Sequence, residues 1–171
     1  MFIRAKKIKG TPYAYLVRNE WTPQGSRQCV TKYLGRIVQP QRLPELTPPT
    51  LTTNLSESLK SIVKWELEQH GFVAQENTHR LNSIVCNVEQ CFCVLGSKPV
   101  VLALNNGHLC NDTLHELLDF KPLHADIPEE TNGRQLAFAL VKAGMAVSEE
   151  VFVQLVDKAV QELDLEPLSN N

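Results

Sequence analysis

The spacing of hydrophobic and polar positions changes more than once along the chain. Over the first forty residues it alternates. Tyr13, Tyr15 and Val17 stand against Ala14, Leu16 and Arg18, the two-residue period of a strand whose faces differ. Flanking runs over residues 2–8 and 27–38, the second carrying Cys29, Val30, Tyr33, Leu34 and Ile37, have the same extended character. Lys9-Gly10-Thr11-Pro12 and Thr22-Pro23-Gln24-Gly25-Ser26 separate the runs with residues that set turn dihedrals. The pattern predicts a three-stranded antiparallel meander over 1–38.

Pro40, Pro44, Pro48 and Pro49, interleaved with threonines, then interrupt every period and predict a linker over 39–53. Asn54 stands three residues before Glu57, the spacing of a capping box. Leu55, Leu59, Ile62, Val63 and Leu67 form the stripe of the helix it opens, and Gly71 marks its end. Short β-branched runs follow over 72–74, 83–88, 91–95 and 100–104, with Gly96-Ser97-Lys98-Pro99 as a turn, and predict a second small sheet. Val100-Val101-Leu102-Ala103-Leu104 is apolar on both parities and reads as a central strand covered on both faces. Three more helices are predicted: one capped by Asn111 or Asp112, one from Thr131 or Asn132 to Ala143 with Gly144 as its stop, and one from Ser148 to about residue 163. The fold class is α+β: a meander over 1–38, a linker over 39–53, and a mixed α+β domain over 54–168 with about four helices.

Charge sharpens this division. Nine of the seventeen Lys and Arg residues lie in the first forty-two positions, where Glu20 is the only acid, a formal +8. The remainder holds eight bases and eighteen acids, a formal −10. A basic segment of this density is the footprint of a phosphate-binding surface. The candidate nucleic-acid-binding residues are Arg4, Lys6, Lys7, Lys9, Arg18, Arg27, Lys32 and Arg36, with Tyr13, Tyr15 and Tyr33 as stacking platforms. If the tyrosines are instead core residues, the phosphate-facing set is drawn from Lys7, Lys9, Arg18, Arg27, Lys32 and Arg36. A solvated strand surface is the plainer alternative, because a Lys-rich first strand also protects an open sheet edge.

Other chemistry is thinly represented. Cys29, Cys86, Cys91, Cys93 and Cys110 form no disulfide framework and fit a reducing, cytoplasmic setting. No pair has zinc-knuckle spacing, so neither metal nor cofactor is expected. Asp112, Glu116 and Asp119 share a predicted helix at the spacing of an ordinary wet face, and no catalytic signature is complete. No apolar run approaches the length of a membrane span, and the first ten residues lack the apolar region of a signal peptide.

Phe2, Ile3, Arg4, Lys6 and Lys7, then Tyr13, Tyr15, Leu16 and Val17, then Arg27, Gln28, Lys32, Tyr33, Leu34 and Gly35 together resemble the β-rich leader of DDE-class insertion-sequence transposases. The same leader is similar to that of small archaeal proteins in which a tail like Leu109, Cys110, Thr113, Leu114, Leu117, Leu118 and Phe120 follows. The likeness covers under a quarter of the chain and implies nucleic-acid contact by the leader. It does not imply transposition, because nothing after Thr53 resembles a DDE catalytic domain.

The expectation is a non-catalytic protein that binds DNA or RNA, a ribosomal surface included, mainly through phosphates and with weak sequence preference. A second class, an interaction module, would meet protein partners through its basic sheet and its acidic C-terminal helices. A third, a small enzyme, would gather Cys110, His108 or the central carboxylates around a pocket.

Overall fold

The computed structural model describes residues 1–43, 47–123 and 128–165; Pro44 and the end of the predicted 54–168 domain lie outside them. The chain is α+β, with nine strands and four helices in the order β1 (Phe2–Ile8), β2 (Thr11–Thr22), β3 (Gly25–Val38), α1 (Leu55–Gln69), β4 (Val73–Gln75), β5 (Thr78–Leu81), β6 (Ile84–Asn87), β7 (Phe92–Leu95), β8 (Lys98–Leu104), β9 (Gly107–Leu109), α2 (Asn111–Leu118), α3 (Glu129–Ala143) and α4 (Glu149–Leu165).

The three expected N-terminal strands form an antiparallel meander. Its first turn is closed by Lys9 at φ 48° and Gly10 at φ 83°, the paired positive angles whose twist matches a tight hairpin. β2 and β3 outrun β1: pairing with β1 ends at Val17, whereas Thr22 still pairs with Gly25. Residues 18–29 therefore extend as a two-stranded ribbon.

The meander continues into the rest of the sheet. β3 lies parallel to β8, with Arg36, Ile37 and Val38 opposite Val100, Val101 and Leu102. The sheet order is β1-β2-β3-β8-β7-β6-β5-β4, with β9 also paired to β8. As its composition demands, β8 is buried on both parities. Val100, Leu102 and Leu104 join the main core with Leu59, Ile62 and Leu67 of α1 and Leu136 and Leu140 of α3, whereas Val101 joins Ala14, Leu34 and Cys110. Gly35, at φ 135°, sits where a Cβ would overlap the carbonyl of Pro99, so this close approach of β3 to β8 requires a glycine.

Helix starts differ from expectation in an instructive way. Asn54 caps α1 as expected, its Oδ1 accepting from the Glu57 N–H at 3.1 Å. Asn111 and Asp112 do not cap α2. Asn111 Oδ1 instead accepts from the Cys93 N–H at 2.9 Å and Asp112 pairs with Lys32, while Thr113 Oγ1 reaches back to the Cys110 N–H at 2.9 Å. Likewise Asn132 accepts from the Leu123 N–H at 2.7 Å, and α3 starts earlier, after Pro128. Polar side chains with capping chemistry have become ties between elements. β5 and β9, which the sequence pattern did not mark as strands, are short and half polar.

Candidate nucleic-acid interface

Strand parity sorts the candidate residues. On β2, Tyr13, Tyr15, Val17, Asn19 and Trp21 share one face, and the register sets Lys6 and Arg36 beside Tyr13, Arg4 and Tyr33 beside Tyr15, and Gln28 beside Asn19. The opposite face carries Ala14 and Leu16, which pack with Ile3, Leu34, Ile37, Val101 and Cys110. The first face is the open one, and the tyrosines belong to it.

Its geometry is that of a small aromatic platform. The Tyr33 ring lies 5.5 Å from Tyr15 and 6.2 Å from Tyr13, tilted against both. Tyr33 remains 48% exposed, while Tyr13 and Tyr15 are half-buried. Burial and the two neighbouring phenols push the Tyr33 hydroxyl above its ordinary value, so that ring is a neutral hydrogen-bonding partner near neutral pH.

Next to the rings, Arg4 on β1 donates to the Gln28 side chain on β3, and the bond passes over Val17 on the intervening strand. That bridge explains how Val17 is 1% exposed on an otherwise open face. Arg4, Lys6, Tyr15, Val17, Gln28 and Val30 border a hollow of about 240 Å³ there.

The other cations are distributed differently. Lys7, Arg18, Arg27 and Lys32 have the opposite parity, opposite Pro12, Cys29, Glu20 and Leu16 respectively, and Lys9 sits in the β1–β2 turn. Arg18 pairs with Glu20, and Lys32 pairs with Asp112 of α2 at 2.8 Å. Arg42 leaves the leader altogether and stands 3.6 Å from the buried Glu66. Among the described residues Arg4, Lys6 and Arg36 make no ion pair. The basic segment is thus two populations, one uncompensated beside the tyrosines and one partly neutralised behind them.

The sequence pattern does not single out Trp21, 85% exposed near the ribbon's tip, or Asn19, and marks Gln28 only as part of the transposase-like leader. The signal was present. Trp21 stands at an even spacing from Tyr13 and Tyr15, so a single strand places all three on one face.

The residues of the enzyme reading are not brought together. Cys110 is buried at the start of α2, and half-buried His108 lies in a separate hollow of about 310 Å³ beside Phe2, Phe138 and Lys142. Glu116 pairs with Lys142, and Asp119 lies 3.5 Å from His115. Cys86 faces Cys93 across β6 and β7, and hydrogen bonding between them together with burial pushes the Cys93 thiol well above its ordinary range. Among the described residues no group of three or more His, Cys, Asp or Glu is placed to hold a metal ion. No helix among them is long and apolar enough to cross a membrane.

The C-terminal helices leave a groove of about 640 Å³ between α3 and α4, lined by Gly133, Ala137, Phe152, Val153 and Val156 with Arg134 at its rim. No protein-family model, curated protein or solved structure matches the chain.

Proposed function

We propose that the open face of the meander binds nucleic acid, through phosphates at Arg4, Lys6 and Arg36 and through contacts to Tyr13, Tyr15 and Tyr33. One observation carries the reading: strand parity sets three cations that have no carboxylate partner among the described residues beside three clustered tyrosines, and turns Glu20, the leader's only acid, to the other face. Uncompensated cations supply the sequence-independent attraction to a polyanion, and partly exposed rings supply a stacking surface. The resemblance of residues 2–35 to transposase leaders supports the same assignment. Lacking a recognition helix with base-reading residues, such a face reads sequence weakly. It serves DNA or RNA alike, including RNA within a ribosome.

The test compares two charge-matched sets. Replacing Arg4, Lys6 and Arg36 with Ala removes up to three phosphate contacts. Binding of a labelled oligonucleotide should weaken, and its log–log salt slope should flatten by about two units. Replacing Lys7, Arg27 and Lys32 removes equal charge from the opposite parity and should leave most of the slope intact. Equal losses from both sets would mean that net charge, rather than this face, attracts the ligand.

A further inference from the structure

We infer that the ligand of this face is a single strand rather than a duplex, held along β2 with bases stacked at the tyrosine cluster and on Trp21. The inference rests on the reading above and adds to it the state of the nucleic acid.

Tyr13 and Trp21 are eight residues apart on one strand, which spans about 26 Å. Aromatic rings stand at both ends of that row, and between them lie Val17, Asn19 and the Arg4–Gln28 bridge beside the 240 Å³ hollow. The order is therefore ring, polar amide, ring, with Arg4 and Lys6 along the β1 margin and Arg36 on the β3 side. A duplex presents phosphates outward and keeps its base faces stacked on one another, so it could engage Arg4, Lys6 and Arg36 but would leave the rings without partners. A single strand offers both its phosphates and its base faces, and aromatic side chains with a basic margin suit it without demanding sequence. Trp21 strengthens the case because an indole with 85% of its surface in water has no role in the core. Asn19 and Gln28, opposite each other between the ring sites, can exchange hydrogen bonds with any base edge that turns toward the sheet.

The two tryptophans make the inference measurable. Trp21 is exposed, whereas Trp65 is buried in α1 and 8% exposed, so a change in emission on adding ligand reports Trp21 while Trp65 reports the fold. The full chain is titrated with a mixed-sequence DNA oligonucleotide of about twelve nucleotides, within the usual range for such platforms. The same sequence is then titrated as a duplex. Binding is followed both by tryptophan emission and by anisotropy of an end label.

The single strand should bind more tightly and quench Trp21, and Trp21→Ala should weaken single-strand binding about tenfold or more, the loss expected for one base–aromatic stack. Duplex binding should be unchanged by that substitution, and Trp21→Phe should retain most of the affinity. Equal anisotropy-derived affinities for the two forms, or single-strand binding that neither quenches emission nor responds to Trp21→Ala, would overturn the inference while leaving a phosphate-binding face in place. Failure of both forms to bind would remove the underlying reading as well.

Discussion

Asn105, in the turn between β8 and β9, donates its side-chain amide to Glu66 Oε1 of α1 at 2.8 Å, and to the Gly144 carbonyl after α3 at 2.7 Å. Glu66 is fully buried, and its other oxygen accepts from the Ala146 N–H at 3.1 Å. Arg42 and His70 stand at 3.6 Å and 3.3 Å. One carboxylate thereby ties the segment after the meander, the first helix, the sheet and the α3–α4 connection.

That convergence makes Glu66 a sensitive polar position. Burial alone would raise its pKa, but hydrogen bonds from His70, Asn105 and the Ala146 N–H, with the Arg42 charge, hold it below the ordinary range. Glu66→Ala should cost about 3–5 kcal/mol, because it opens a cavity at a fully buried position, strips the Ala146 N–H of its acceptor and removes one partner each from Asn105, His70 and Arg42. Glu66→Gln, which keeps the shape, should cost about 1–3 kcal/mol. Because the folded pKa is depressed, the stabilisation is complete above the ordinary value of about 4.3 and disappears as pH falls through the folded value. Urea unfolding at a series of acidic pH values should show a shallower acid limb in Glu66→Gln than in the wild type.

Gly35 governs the junction between meander and sheet. A Cβ there would overlap the Pro99 carbonyl, and φ 135° is itself strained for any L side chain. Gly35→Ala should lower stability by at least about 1–3 kcal/mol. It should also expose the β3–β8 pairing to exchange, since Arg36, Ile37 and Val38 provide its only register positions. Hydrogen exchange by mass spectrometry should then show faster exchange over 36–38 and 100–102 than in β6, and exchange confined to other strands would exclude this role.

Local features were legible where short-range physics decides them. Asn54, the stripe from Leu55 to Leu67 and the alternation around Tyr15 are each fixed by residues within a turn or a strand, and α1 and the meander stand where the pattern put them. The parallel β3–β8 pairing was not legible, because it joins residues more than sixty positions apart through three register pairs. The caps at Asn111, Asp112 and Asn132 failed for a related reason, as each side chain bonds a partner outside its own helix. The candidate face was half legible. Parity alone separates Tyr13, Tyr15 and Trp21 from Arg18 and Glu20, but β3 shifts register against β2 after Ala14 and again after Leu16, so which β3 cations join the tyrosines emerges only from the pairing.

Cys29 should be the reactive thiol of the native protein, and a slow one. Cys86, Cys91, Cys93 and Cys110 are buried, whereas Cys29 lies half-buried on the ribbon and its thiol donates to Glu20 at 3.0 Å. That hydrogen bond, with burial and the carboxylate charge, raises the Cys29 pKa and keeps the nucleophilic thiolate scarce. Iodoacetamide mapping at mildly alkaline pH should find modification at Cys29 first, more slowly than at an exposed cysteine in a peptide. Glu20→Gln should accelerate it. Earlier labelling of Cys110, or a rate indifferent to Glu20, would contradict the arrangement.

His79 and His108 should make the fold sensitive to mild acid, well before Glu66 titrates. Burial lowers the pKa of both, outweighing the attraction of Glu68 at 3.5 Å in the case of His79, so the folded chain prefers the neutral rings. The unfolded chain takes up these protons near the ordinary value of about 6.5, whereas the folded chain takes them up only at lower pH. Stability therefore falls as pH drops through about 6.5 and levels off once the folded rings are also protonated. Above that pH the two histidines contribute no dependence. Urea midpoints measured between about pH 7.5 and 5.5 should decline for the wild type and decline less for His79→Asn/His108→Asn, whose side chains do not titrate. The direction is opposite to that of a histidine held charged by a carboxylate, which would gain stability on acidification. A midpoint that rose as pH fell would show that Glu68 outweighs burial at His79.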